Sequence, residues 1–453
     1  MAYMKSRVIS ASDFGKDFLW GVAIAAQQNE GARHIDGRTD SIWDAFADKS
    51  KKIKNNHKIG KACDFFHRYK EDIDLCKLIG FNTFRFSISW SRILPNGIGE
   101  PNPLGIKYYN DVIDYCLANG IKPFVTLYHW DLPNVLELEG GWTSHRMVDW
   151  FSYYVKVCAD SFGDRVKDWI VLNEPTGFTT LGYMLGMHAP GRRGISSFFP
   201  AVHNTLLCQA QGGRVLRENV SGAYIGTTFS CSYIYPNSDK IEDVKAAQRV
   251  DTIMNRLFVE PLLGMGYPRI SDFKLLEKLE VHNLAWRHKD LMTFDYDFIG
   301  IQNYFPITVK YNPIIPYLSA SEVKPQDRNV PYTSMGWEVN SEAFGKIIRQ
   351  FAKYSNMPRI IITENGASFK DTMINNNIND VKRIIYYKSH LTELLKLKNE
   401  GLPIDGYFAW TLTDNFEWNY GYTPKFGLIH VNKDTQERTI KKSGNWFKGF
   451  LHT

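Results

Sequence analysis

The chain has 453 residues and carries 54 Lys and Arg against 48 Asp and Glu, a net charge of +6. Basic and acidic residues are interleaved, and the lysine-dense run from Lys49 to Lys54 leads into Asn55-Asn56. A solvated loop is therefore expected there, and no nucleic-acid surface. No apolar run reaches the roughly eighteen residues of a membrane span, and Met1 to Asp13 lacks the apolar core of a signal peptide, so a cytoplasmic location is expected.

Phe18 to Ala25 reads as a first strand that runs into the polar stretch Gln27-Gln28-Asn29-Glu30-Gly31. A helix over about 62–79 follows, with Phe66, Tyr69, Ile73 and Cys76 at helical spacing and Gly80 as its stop. Phe81 to Ser89 is the second strand. A helix containing Tyr108 to Ala118 ends at Asn119-Gly120, and Ile121 to Tyr128 is the third strand, closing on His129-Trp130-Asp131. The next helix spans about 144–162. Trp169-Ile170-Val171-Leu172 then reads as a strand buried on both faces, stopped by Pro175, which has no N–H for a ladder.

The alternation continues. A helix over about 200–219 precedes the fifth strand, Ala223 to Phe229. Helical segments precede the sixth, Phe298 to Ile301, which leads to Gln302-Asn303-Tyr304. A helix near 341–354 precedes the seventh strand, Pro358 to Glu364, with Asn365-Gly366 read as the turn after it. A helix near 380–398 precedes the eighth, Ile404 to Leu412, and a last helix lies near 441–451. Eight strands alternating with helices predict an α/β chain folded as one (β/α)₈ barrel over residues 1–453, with elaborated βα loops.

In such a barrel, polar residues at C-terminal strand ends point to catalysis. Those ends carry Gln28, Arg85, His129, Trp130, Asn173, Glu174, Tyr304, Glu364 and Trp410, with Glu417 and Trp418 just beyond. Two lip glutamates match a carboxylate pair flanking a glycosidic bond, one attacking the anomeric carbon while the other protonates the leaving oxygen. Their environments must hold their pKa values apart, and an arginine beside one of them would keep it ionised. His129 has no second histidine near it in sequence, so no metal and no other cofactor is expected. The six cysteines show no CxxC pairing and read as free buried thiols.

The chain resembles glycoside hydrolase family 1, the β-glucosidase family, along essentially its whole length. The motifs are Phe18-Leu19-Trp20-Gly21, Ser41-Ile42-Trp43-Asp44, Arg85 to Arg92, Tyr128-His129-Trp130-Asp131-Leu132-Pro133, Asn173-Glu174-Pro175, Thr363-Glu364-Asn365-Gly366 and Asp414-Asn415-Phe416-Glu417-Trp418. The resemblance implies a retaining exo-β-glycosidase with Glu174 as acid/base and Glu364 as nucleophile. It implies that Gln28, His129, Asn173, Glu417 and Trp418 hold the hydroxyls of the first sugar, with Trp410 under the ring. Trp130 and Phe426 count among the substrate-facing residues, Trp337 lines the leaving-group side, and Tyr304 and Arg85 support the nucleophile.

Gln302 departs from the family pattern, which has Asn there, and Gln27 stands where a bulkier residue is usual. Relatives that act on 6-phosphorylated sugars resemble a pattern with Ser at the position of Glu417. Glu417 is expected to repel phosphate, and Phe426 has no group to hold it, so the implied partner is an unphosphorylated β-glucoside or oligosaccharide, with galactosides and fucosides as further candidates. A transglycosylating relative and a catalytically silent sugar-binding barrel remain alternatives.

Overall fold

In a computed structural model the residues described are 9–271, 273–283, 288–375 and 377–453; residues 1–8, most of the stretch read above for a signal peptide, lie outside them. Eight strands close into a barrel: β1 (Leu19–Ala23), β2 (Thr83–Ser87), β3 (Lys122–Tyr128), β4 (Asp168–Asn173), β5 (Tyr224–Ser230), β6 (Phe298–Gln302), β7 (Arg359–Asn365) and β8 (Ile404–Trp410). Each pairs in parallel with the strand before it, and β1 closes the ring against β8 through Leu19↔Gly406 to Ala23↔Trp410. Parallel neighbours need a crossover, which the intervening helices supply. These include α1 (Phe65–Ile79), α2 (Pro103–Ala118), α3 (Met147–Phe162), α4 (Ile195–Asn219), α5 (Ile241–Asp251), α6 (Ser341–Phe351), α7 (Val381–Asn399) and α8 (Lys442–Leu451).

Local chemistry sets the helix ends. Gly80 stops α1 at φ 102°, a left-handed cap that costs a glycine little. Asn102 caps α2 through its side chain, with Pro103 in the first turn. Helix α4 begins before the expected start and contains Pro200, and β8 ends two residues short of Leu412. The elaborated loops include a three-stranded sheet of Ile234–Pro236, Ile307–Tyr311 and Ala320–Glu322. All six cysteines are free and buried. No helix is long and apolar enough to cross a membrane among the described residues.

Inside the barrel, Phe124, Ile170, Phe298, Ile361 and Phe408 pack into one fully buried cluster. The phenylalanines are admitted by glycines on neighbouring strands. A Cβ on Gly21 would sit 2.2 Å from the Phe408 ring, and one on Gly226 would sit 2.3 Å from Phe298. These side chains form an apolar floor, so a cavity within the barrel opens at the C-terminal end of the strands.

Candidate active site

Neighbouring residues on a regular strand face opposite sides, yet Asn173 and Glu174 both serve the barrel mouth. Two departures make this possible. The β4–β5 register shifts between Ile170 and Asn173, and Glu174 takes a left-handed conformation at φ 47°, with Pro175 opening a short helix after it. On β7 the register slips against both neighbours just beyond Ile362, around Thr363, which leaves Glu364 opposite Gln302. Such a slip bends a strand and re-aims a side chain. Trp130 and Trp418 also adopt positive φ, 77° and 43°. Left-handed backbone costs a non-glycine residue about 1–2 kcal/mol, and three such residues at one site are a concentration typical of functional positions.

The Asn365-Gly366 pair is not the turn read from the sequence. Asn365 remains in β7, fully buried, where its amide donates to Asn303 O at 2.7 Å and Tyr386 OH at 2.9 Å and its Oδ1 accepts from Tyr407 OH at 2.7 Å. Gly366 is there for close approach, since a Cβ would lie 2.0 Å from the carbonyl oxygen of Trp410.

Glu364 is the most heavily partnered carboxyl at the mouth. Its Oε1 accepts from Arg85 Nη1 at 2.5 Å and Gln302 Nε2 at 2.6 Å, and its Oε2 accepts from Tyr304 OH at 2.5 Å. Burial pushes its pKa up, while Arg85, Tyr304 and Gln302 pull it back. Burial and the charge of Glu364 keep the Tyr304 phenol protonated, so it remains a donor. Glu174 has much weaker opposition. Burial first, then the charge on Glu364, lifts it to about 8. When the two carboxyls hold one proton between them, it rests on Glu174.

Arg85 also fixes the neighbours. Its Nη2 donates to Asn173 Oδ1 at 2.5 Å, and the Asn173 amide nitrogen therefore faces His129 Nε2 at 3.0 Å. Burial, helped by the Arg85 charge, holds His129 neutral. With Nε2 accepting, the proton sits on Nδ1, which has no partner among the described residues.

Above the floor lies a cavity of about 310 Å³, lined by His129, Trp130, Glu174, Tyr304, Trp337, Glu364, Trp410, Glu417, Trp418 and Phe426 from the set expected above. Trp130 stacks on Trp418 with centroids 4.7 Å apart, and His129 on Trp410 at 5.9 Å. Gln28, Arg85 and Asn173 are fully buried and bonded to residues of this wall, to Glu417, Glu364 and His129 in turn. Gln28 Nε2 donates to Asn415 Oδ1 at 3.2 Å, Phe416 O at 3.1 Å and Glu417 Oε2 at 3.3 Å, so it braces the loop after β8. That loop is also pinned by Asp414, which accepts from the buried Lys441 at 2.7 Å and from Gly427 N–H at 2.9 Å.

Several wall residues escaped the sequence reading. Thr176, Leu181, Met187, His188, Ser230, Met254, Phe305, Met335, Asn419 and Tyr420 also line the cavity, most of them from the short helical turns and loops between barrel strands and outer helices, whose path no local pattern encodes. Ser230 ends β5, so the rule of polar residues at strand ends would have found it. Gln302 was visible at the end of β6 only as a departure from the family pattern. One expectation is modified: Glu417 is pushed up to about 8 by burial and by Glu364, against the pull of Gln28. A carboxyl raised in this way opposes a phosphate less than a full charge would, and the described wall carries no Lys or Arg to hold one. No cluster of three or more metal-ligating side chains occurs among the described residues.

The description "Glycosyl hydrolase family 1" belongs to the family model that matches residues 10–453. Beta-glucosidase A of Thermotoga maritima is 41% identical over 448 residues, covering 98% of each chain. The 1,4-beta-D-glucan glucohydrolase of Thermotoga neapolitana is 40% identical over 443 residues, covering 97% of this chain and 98% of its own. A Thermotoga maritima family 1 glycoside hydrolase complexed with a cyclophellitol analogue superposes with a TM-score of 0.93 at 40% identity, over 96% of this chain and 97% of that one. Two lip glutamates in one aromatic-walled cavity, on a barrel matched from end to end, place this chain in glycosyl hydrolase family 1.

Proposed function

We propose that the protein is a retaining exo-β-glycosidase acting on unphosphorylated β-glucosides. The observation that carries this is the unequal treatment of two carboxyls on one cavity. Glu364 takes three donors, while burial and the Glu364 charge push Glu174 up to about 8. On this reading Glu364 attacks the anomeric carbon, the glycosidic C–O bond breaks, and the proton of Glu174 passes to the leaving oxygen. Glu174, now a carboxylate, takes a proton from water, whose oxygen displaces Glu364 and restores the β-configuration. Two inversions give net retention.

The pH dependence follows from the same assignment. Glycosylation needs Glu364 ionised and Glu174 protonated. Activity should fall on the acid side as Glu364 gains its proton, and on the basic side as Glu174 loses its own near the value of about 8 to which it is raised. Measuring kcat/KM for an aryl β-glucoside against pH checks both limbs, and a plateau unchanged well above pH 9 would contradict the role given to Glu174.

Glu417, Trp418, Trp410 and His129 are read as the sugar-holding face. Glu417→Ser removes an acceptor and leaves sugar hydroxyls unpaired, which costs about 1–3 kcal/mol each. The expected loss in kcat/KM for an aryl glucoside is roughly 5- to 150-fold. An unchanged value would show that Glu417 does not meet the sugar.

The deciding experiment is a panel of cellobiose and aryl glucoside, galactoside, fucoside and 6-phosphoglucoside. Hydrolysis of the glucosides with retained β-configuration, and none of the phosphorylated one, supports the reading. No turnover of any member would sink it and leave a silent sugar-binding barrel. Product analysis with an alcohol acceptor separates hydrolysis from transfer.

A further inference from the structure

Lys441 sits at the N-cap of α8, where a cation is out of place. That position favours a short acceptor such as Ser, Thr, Asp or Asn, and the helix dipole repels positive charge there. The side chain is also fully buried, and an ammonium taken out of water is costly unless it is paired. Two carboxylates account for it. Nζ donates to Asp414 Oδ1 at 2.7 Å and to Asp371 Oδ2 at 2.5 Å. Burial pushes the Asp414 carboxyl up, but Lys441 and His430 outweigh it and hold it well below the usual carboxylate range.

The two carboxylates belong to different loops. Asp414 stands at the base of the loop after β8, whose arms are stitched by Ile429 N–H to Leu412 O at 2.9 Å and by Gly427 N–H to the Asp414 carboxylate. Glu417, Trp418 and Phe426 lie between those arms and face the cavity. Asp371 belongs to the loop after β7, the strand that carries Glu364. A second buried cation repeats the pattern. Arg383 on α7 donates from Nε to Ala367 O at 3.1 Å in the β7 loop, and from Nη2 to Lys425 O at 2.5 Å in the β8 loop. Buried ion pairs are weak evidence of stability, because apolar residues of similar volume often serve as well. What an apolar contact lacks is direction, and both cations here aim at the same two loops.

We propose that Lys441 is a positioning residue for the sugar-holding face: by joining Asp414 to Asp371 it sets the loop bearing Glu417 and Trp418 against the strand end bearing Glu364. This rests on the reading of Glu417 and Trp418 as sugar contacts. Lys441 is not among the residues lining the cavity, so it acts through Asp414. Gln28 braces the tip of the same loop at Glu417, and Lys441 braces its base.

The test uses Lys441→Met, which removes the ammonium at similar length, and Asp371→Asn, which leaves Lys441 its Asp414 partner and weakens the tie to the β7 loop. Hydrogen exchange read by mass spectrometry should quicken by roughly tenfold in peptides covering residues 411–428 of K441M, with peptides of β2 to β5 unchanged. D371N should quicken the same peptides by less, and it carries the test if K441M does not fold. Active sites are counted by the dinitrophenolate released from a 2-deoxy-2-fluoro glucoside. Per active site, kcat/KM for an aryl glucoside should fall about 10- to 100-fold in K441M, and K441M/E417S should lose far less than the product of the two single losses. Unchanged exchange at 411–428 in a variant that folds overturns the proposal. So does a rise of equal size across the barrel, or single losses that simply multiply when E417S itself loses activity. Exchange needs no substrate, so an E417S of unchanged activity would overturn the sugar-contact reading while the hold of Lys441 on the loop was still decided.

Discussion

Glu364→Ala should lose turnover of aryl β-glucosides by about 10⁴- to 10⁶-fold, the scale seen when a covalent nucleophile is removed. No other carboxyl takes its place. Glu417 is on the same wall but is held by Gln28 and lies in the loop after β8. The variant should still fold, because the removed side chain leaves Arg85 paired with Asn173 Oδ1 and Thr363 O. Azide, small enough to occupy the space vacated by the carboxylate, should then attack the anomeric carbon directly. One inversion gives the α-glycosyl azide. Product stereochemistry by NMR is the check, and a β-azide from this variant would mean that Glu364 is not the nucleophile.

Glu174→Ala should behave differently according to the leaving group. For substrates that need a proton on the departing oxygen, the expected loss is about 10²- to 10⁴-fold, the usual weight of general acid catalysis. A dinitrophenyl glucoside needs no such proton and should still glycosylate Glu364 at a useful rate. The second step then stalls, because nothing activates water. Pre-steady-state kinetics should show a burst followed by slow turnover. Azide needs no base, so it should relieve the stall and give the β-azide by two inversions. If the two variants gave the opposite stereochemistry, the roles of Glu174 and Glu364 would be exchanged.

The barrel was legible because its strands are short stretches rich in apolar and β-branched residues, such as Asp168–Asn173 and Arg359–Asn365, spaced regularly between helical segments. Glu174 and Glu364 stood out because a carboxylate at the end of a buried strand needs a reason to be there. What the sequence pattern could not encode was the backbone that presents them. The register shifts beside Asn173 and Glu364 depend on the neighbouring strands, and the left-handed turn at Glu174 depends on its surroundings. Asn365-Gly366 misled for the same reason. The pair carries a local turn signal, but burial beneath Tyr386 and Tyr407 and the approach of Trp410 give each residue another task. The pKa of Glu417 was also out of reach, since it depends on how far the loop after β8 folds inward.

The apolar plug of Phe124, Ile170, Phe298, Ile361 and Phe408 has a kinetic meaning as well as a structural one. It closes the cavity from below, so substrate and products share the opening at the C-terminal end of the strands. On the exo reading proposed above, a terminal unit sits against Glu174 and Glu364. The leaving group then lies toward the opening and departs before water approaches the sugar below. Free glucose is then the last thing out through the passage by which the next substrate enters. Released sugar should therefore compete with substrate for the empty well, raising apparent KM without lowering kcat.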